Sequence, residues 1–459
     1  MSVDNSIMNT ARSEYTKAMP NWILSRDVVN LDVKTDLTKS LVYLPYPSTT
    51  PPPYGSNEWN NRYIPYRLRA ILYGYAKRTV DTLTGSAFKK PPVLDNLPKG
   101  MDELVKDITG TGLSVDQFAK ADTRTTMITG RSGMYTSFPT MPENATAAQT
   151  NGVMPFVSIY NAEDIPFWAD DNSLIVLSET YDKSENEFEI DLGVQLRALR
   201  LRDSGATSQV YRDDGTESEE IPLKGGSGQL KQIPFEWVGS ANNDNIIDES
   251  LILPIAEINL GHYRNSADDE ENTHIHGQTT TYFTSDMQDH QIEMFLKDGI
   301  EMGARSAHFL GASGSMGTVS ANANDKVTAA MIQKEQAMIQ LGAKIIRDSA
   351  NETAEAVRIQ SASETANLSS LIHNVSKATE NSLKHCAEFL GIDGSAIEYN
   401  ISQEFFDENI DPAMIIALTG LYDRGVIGDE EITEPLRKAG WIKRTWRAIK
   451  NEVELRVLG

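Results

Sequence analysis

Imidazole and carboxylate side chains are densest between 262 and 276, where His262, Asp268, Asp269, Glu270, Glu271, His274 and His276 fall together. These are the donor types that a divalent metal takes, and a metal-dependent hydrolase is the chemistry that would follow. The spacing weighs against it. His262 and His274 are twelve residues apart, about 18 Å along a helix by rise alone. His274 and His276 would point to different sides of a helix, and no HExxH is present. Four carboxylates in a row are cheap to solvate and expensive to bury. The cluster therefore reads as a solvated polar face, with neighbouring basic groups expected to offset its repulsion. Gly311 to Gly317 (GASGSMG) imitates a phosphate-cradling loop but lacks the Gly-Lys-Ser/Thr ending and a preceding buried strand. Gly130-Arg131-Ser132-Gly133 is no nucleophile elbow, which needs a glycine two residues to each side of the serine. The one cysteine, Cys386, lies on an apolar helical stripe and reads as a small core residue. No spacing specifies an acid/base pair, so the chain reads as a non-enzyme with no cofactor and no metal.

The chain has 459 residues and a formal net charge of −23, with 65 acidic against 42 basic residues. A basic surface gripping nucleic acid over its whole face is excluded, and 40% apolar residues exclude a wholly disordered chain. A single cysteine excludes an internal disulfide and a cysteine-based zinc site, and fits a reducing compartment. No stretch approaches 18 consecutive apolar residues, and the N-terminus lacks the basic and apolar regions of a signal peptide. Neither export nor a membrane span is expected.

The elements that must position these groups follow from periodicity. Leu41 to Leu44 runs into the breaker cluster Pro47 to Pro53. Arg62 to Phe88 carries apolar residues at helical spacing, and further helices are expected at Met101 to Thr109 and at Ser114 to Thr129, with Ser114 as N-cap. From Pro155 the pattern turns to strands: 156–160, 174–177, 188–192, 194–201, 209–212 and 233–238, bounded by Gly, Asp and Asn. Helical spacing returns at Leu251, Ile255, Ile258, His262 and Tyr263, with Pro254 in the first turn. Residues 278–284 are β-prone, and an irregular region follows, ending in a loop at 311–325. Val327 to Arg347 and Thr353 to Leu390 read as two helices, the second stopping at Gly391. Asp348, Ser349 and Asn351 compete for backbone hydrogen bonds between them. Asp411-Pro412 opens a final helical stretch.

This order of elements resembles the portal, or head-to-tail connector, protein of tailed bacteriophages. Local strings carry the resemblance: Tyr43-Leu44-Pro45, Arg78-Thr79-Val80 with Gly85, Phe88-Lys-Lys-Pro-Pro92, Gly130 to Gly133, Ile233-Pro-Phe235 and, above all, Ala256 to Asp268 (AEINLGHYRNSAD). It covers roughly residues 30 to 390. The resemblance implies an α+β, portal-like multi-domain subunit that forms a ring, usually a homododecamer, around a DNA channel at one capsid vertex. The N-terminal α+β part of the wing would be 1–250, stem helix 1 would be 251–275, the clip 276–326 and stem helix 2 327–347. The tunnel loop would be 348–352, the long wing helix 353–390, the wing return 391–410 and the helical crown 411–459. The polar run Thr279 to Phe283 departs from the apolar strand usual at that point of the family and blurs the clip boundaries. The implied role is genome packaging, retention and ejection. Implied partners are other copies of the chain, double-stranded DNA, the terminase packaging motor, a tail adaptor and the major capsid or scaffold protein. The implied location is the virion, after assembly in the host cytoplasm. A metal-dependent hydrolase, or another virion structural protein, is the alternative.

The charge suits a channel. Each phosphate neutralised by Lys or Arg adds affinity and hence friction. Twelve copies at −23 would carry about −276 charges, a field that repels phosphate from the walls. Lys344 and Arg347, with Asp348, Ser349 and Asn351, are the candidates for the channel lining. The two basic residues would serve either as sparse DNA contacts or as intersubunit ion-pair partners.

Overall fold

A computed structural model describes residues 8–139, 153–184, 186, 188–226, 228–277, 280–297, 312–319, 325–342, 354–403 and 428. The fold is α+β, with helices and small antiparallel sheets in two compact units. The first comprises 1–16, 81–250 and 352–459, and the second 17–80 and 251–351. Residues 17–80 thus fold with 251–351.

In the first unit, Ser114 caps the Val115–Thr129 helix through a capping box with Gln117. The helix buries Val115, Phe118, Ala119 and Met127 as their spacing predicts. It packs, together with the long Ala354–Leu390 helix, on a three-stranded antiparallel sheet with strand order Phe235–Gly239, Arg131–Ser137, Phe156–Asn161. A five-stranded sheet runs Phe167–Trp168, Leu174–Asp182, Leu192–Arg202, Gly205–Arg212 and Ile221–Pro222. Trp168, Ile175, Leu177 and Leu199 meet Tyr135, Phe235, Trp237 and Phe389 in one apolar cluster. Burying a large side chain there contributes about 1.5–3 kcal/mol. The long helix buries Leu368, Leu371, Ile372, Val375, Leu383 and Cys386, and burial pushes the Cys386 thiol far up.

Two expectations fail here for local reasons. Residues 188–191 are not strand, because Asn186 takes the amides of Phe188 on its side chain (3.1 Å) and Glu189 on its carbonyl (3.1 Å), a turn that delays the ladder to Leu192. The expected 101–109 helix spans only Asp102–Lys106, since Asp107 accepts from the Thr111 amide (3.1 Å) and closes a loop instead.

The second unit is built on helices. Leu253–His276 and Asp325–Gln340 pack antiparallel, as Asp269 meeting Thr328 and His262 meeting Glu335 establishes. Between them in sequence lie an antiparallel ribbon, Thr280–Thr284 with Ser315–Val319, and a helix, Asp289–Lys297. The strand at 315–319 and this helix replace the expected irregular region and loop. The second of the paired helices ends at Gln340, earlier than the expected Arg347. Pro254 sits in the first turn of Leu253–His276, as expected. Around the Pro47 to Pro53 cluster, Tyr46, Trp59 and Tyr63 stack, and the Tyr63 hydroxyl donates to the Leu44 carbonyl (2.7 Å). The expected helix from Arg62 to Phe88 is two helices, Asn57–Arg69 and Tyr75–Ala87. The reason for the break lies in the Leu253–His276 helix.

Candidate functional site

Ala256, Asn259, Leu260, Tyr263, Ser266 and Ala267 recur at three-to-four spacing and are buried along one face of the Leu253–His276 helix. The polar members of that face hold the extended segment between the two N-terminal helices. Asn259 Nδ2 donates to the Tyr73 carbonyl (2.8 Å), and its Oδ1 accepts from the Ala76 amide (3.1 Å). The Ser266 hydroxyl accepts from the Ile71 amide (3.0 Å) and lies 2.7 Å from the Ile71 and Tyr263 carbonyls, donating to one of them. Backbone groups that a continuous helix would pair internally are thus satisfied by a helix nearly two hundred residues away. Arg264 adds a hydrogen bond to the Tyr43 carbonyl (2.8 Å).

His262 is not on a solvated face. It is fully buried, edge-on to the rings of Tyr73 (5.1 Å) and Tyr75 (5.9 Å), with Nε2 3.4 Å from Glu335 Oε1. Burial, only partly offset by Glu335, lowers its pKa, so the ring is neutral near pH 7. The acidic run divides its partners. Asp268 accepts from the Tyr66 hydroxyl (2.7 Å) and Asp269 from Thr328 (2.8 Å). Glu271 takes both oxygens to Arg62 (2.7 Å each) and one to Arg69 (3.2 Å). Basic groups therefore do face the acidic run; Arg62 and Arg69, seven residues apart on one helix face, went unremarked in the sequence. His274 is exposed. Among the described residues no three of His, Cys, Asp and Glu lie close enough together to hold a metal ion. Lys344, Arg347, Asp348, Ser349 and Asn351 lie outside the described residues, as does the helical stretch from Asp411.

In the first unit, the Gly130 to Gly133 string is a packing device. Gly130 closes the Val115–Thr129 helix in the left-handed region (φ 85°), and a Cβ there would sit 2.4 Å from the Asp248 carbonyl. Arg131 is buried, its guanidinium 4.5 Å from the Trp168 ring and 4.0 Å from Trp237, and no nitrogen of it has a hydrogen-bond partner. Burial lowers its pKa to about 9, against the pull of Asp248 and Asp244. Ser132 donates to the buried Asp122 (2.7 Å), and Gly133 lies flat under the Phe235 ring.

The family model described as domain of unknown function (DUF4055) matches residues 252–390. No curated protein matches the chain. Among solved structures, the chain is similar to one from the neck of a native GTA particle computed with C12 symmetry. The TM-score is 0.42 at 14% identity, over 80% of this chain and 90% of that one. It is also similar to one from the neck of an empty GTA particle computed with C6 symmetry, with TM-score 0.44 at 12% identity, over 86% of this chain and 97% of that one.

Proposed function

We propose that the chain is a portal subunit: a ring-forming head-to-tail connector of a phage-like particle, through which double-stranded DNA is packaged, retained and ejected. The observation that carries this reading is the antiparallel pair Leu253–His276 and Asp325–Gln340, joined through a ribbon-and-helix module and followed by the 37-residue Ala354–Leu390 helix. That is the stem, clip, stem and long wing helix of the portal order, in sequence. In this reading the stem is stiffened from both sides. Asn265 accepts from Lys334 across the pair, and Asn259 and Ser266 fasten the Ala70 to Tyr75 segment to the opposite face.

The channel lining falls to Lys344, Arg347, Asp348, Ser349 and Asn351 at the tunnel loop, with 411–459 as crown. Twelve copies, at −23 each, make a wall that phosphate does not stick to. The ring would receive the terminase motor and then the tail adaptor, within a capsid or scaffold vertex. Its work is mechanical and electrostatic rather than catalytic.

Mass measurement tests the reading. Twelve chains of 50.8 kDa make a particle of about 610 kDa with a central hole in negative stain. Monomers and dimers alone, both for the purified chain and for material from assembled particles, would refute it.

A further inference from the structure

Near its end the long helix meets the segment leading into the Phe235–Gly239 strand across a solvent-open cavity of about 270 Å³, lined by Gln232, Glu236, Asn381, Lys384, His385 and Glu388. His385, buried within this group, faces two kinds of neighbour. Its Nε2 lies 3.0 Å from Glu236 Oε1, and Asn381 Nδ2 donates to the other Glu236 oxygen at 3.0 Å. On the opposite edge of the ring, Nδ1 lies 3.5 Å from the Gln232 amide nitrogen and 3.9 Å from Glu388 Oε2. The Gln232 N–H suits a neutral ring with its lone pair on Nδ1. A carboxylate on each edge suits an imidazolium, which donates from both nitrogens. The ring thus stands between two proton states, with a partner for each already beside Nδ1.

We propose that His385 is a pH-sensitive latch between the long helix and the 232–236 segment, within one unit. Protonated, it bridges Glu236 and Glu388, donating from Nε2 to the first and pairing its Nδ1–H with the second. The Gln232 amide then turns its oxygen to the ring by a simple flip. Neutral, the ring keeps its Nε2–H bond to Glu236, while Nδ1 accepts from Gln232 and its lone pair repels the Glu388 carboxylate. The Glu388 side chain, 37% exposed, then swings into water. Burial alone would lower the pKa of the ring, but Glu236 and Glu388 outweigh it and the net shift is upward. The folded chain therefore holds this proton to higher pH than the unfolded chain does. The bridge contributes fully below about pH 6.5 and is lost as pH rises through the folded value. The remaining charge in the lining, Lys384, is turned to Glu380, 2.6 Å away. The short Lys224–Gly225 strand also packs on the helix, with Lys224 exposed. A main-chain contact adjoins the latch, because the Gly226 amide donates to the Glu388 and Phe389 carbonyls (3.2 and 3.1 Å).

The test uses the full chain across about pH 5.5 to about pH 9. Exchange of the histidine C2 hydrogen, read by mass spectrometry, follows the titration of each imidazole whatever the size of the particle. His385 should titrate above the ordinary histidine value of about 6.5. Glu388→Gln should lower its proton affinity at least about threefold. Amide exchange at Gly226, corrected for the intrinsic effect of pH, should quicken at least about threefold as the ring deprotonates. His385→Gln keeps an N–H for Glu236 and cannot titrate, so exchange at Gly226 should lose that pH dependence. Should His385→Gln fail to fold, Glu388→Gln carries the same comparison, with a weakened pH response at Gly226 expected. A His385 titration at or below about 6.5, one that Glu388→Gln leaves unmoved, or a pH response at Gly226 undiminished in the variants would each overturn the proposal.

Discussion

Asp122 offers a sharp test of how the first unit is held. Its carboxyl is fully buried on the Val115–Thr129 helix, and its partners are hydroxyls rather than cations. Ser132 donates to Oδ1 at 2.7 Å, and Thr126 Oγ1 lies 3.5 Å from Oδ2 and 2.7 Å from Ser132 Oγ. Desolvation outweighs these bonds and raises the pKa from 3.8 to about 7. The folded state therefore keeps a proton that the unfolded chain has lost, so this residue's contribution falls as pH rises from about 4 through 7. The linkage relation puts the cost of ionisation at about 1.7 kcal/mol at pH 5 and about 4 kcal/mol at pH 8. In Asp122→Asn the amide oxygen still accepts from Ser132, and its NH₂ can donate to Thr126. The variant should be the more stable, with the gap over the parent widening by about 2.5 kcal/mol from pH 5 to pH 8. Urea unfolding of both proteins at four pH values measures this, compared at equal slope so that the denatured states match. Every other titration cancels in the difference. A gap constant within about 0.5 kcal/mol across that range would refute the assignment of a buried, cation-free carboxyl.

Substitutions at three further positions test the packing. Asn259→Ala strands the buried Ala76 amide and should cost about 2–3 kcal/mol in urea unfolding, where a loss under about 0.5 kcal/mol would mean that water replaces the side chain. Arg131→Met exchanges a buried guanidinium without hydrogen bonds for a thioether against the same two indoles; it should raise stability by about 1–2 kcal/mol, while Arg131→Ala lowers it by about 3 kcal/mol. Equal losses in both variants would show that the cation–π contacts outweigh desolvation. Gly133→Ala places a methyl 2.2 Å from the Phe235 ring and should lower the melting temperature, with partial recovery in Gly133→Ala/Phe235→Leu; a neutral single variant would refute the close approach.

Legibility in the sequence followed the range of the interactions. The Ser114 cap, the Pro254 start and the end of the long helix at Gly391 are decided within four residues, and each stands where the pattern puts it. The Ser13–Asn30 helix gave no such signal, because its buried side mixes Trp22, Val28 and Val29 with Ser25 and Asp27 and it carries Pro20 in its interior. Asp27 is paid for by Tyr43 (2.6 Å) and Lys39 (2.8 Å), partners that no local period announces. The break between Arg69 and Tyr75 was equally hidden, since propensity allowed a continuous helix and only Asn259 and Ser266 make the extended alternative cheap. The same distance effect misplaced His262, whose burial depends on Tyr73 being held outside a helix.

The string Ala256 to Asp268 therefore encodes an attachment rather than a reaction. Asn259 and Ser266 bind main chain, His262 is edge-packed and neutral, and Asp268 meets a tyrosine hydroxyl. Residue types that would serve a hydrolase are here consumed by the fold. In the portal reading such consumption has a mechanical sense. A stem helix that must carry load beside moving DNA gains from polar anchors along its length, because each hydrogen bond fixes register as well as adding about 1 kcal/mol. An apolar face of the same area would adhere equally well and slide more easily, since apolar burial is non-directional. Replacing Asn259 and Ser266 together by Leu and Ala should then leave the helix docked but free to shift along Ala70 to Tyr75. Amide exchange at Ile71 and Ala76 reads that freedom directly: the expected result is exchange there that quickens by more than the global loss of about 2–3 kcal/mol from the stranded amides accounts for. Unchanged protection of both amides would show that register is set elsewhere.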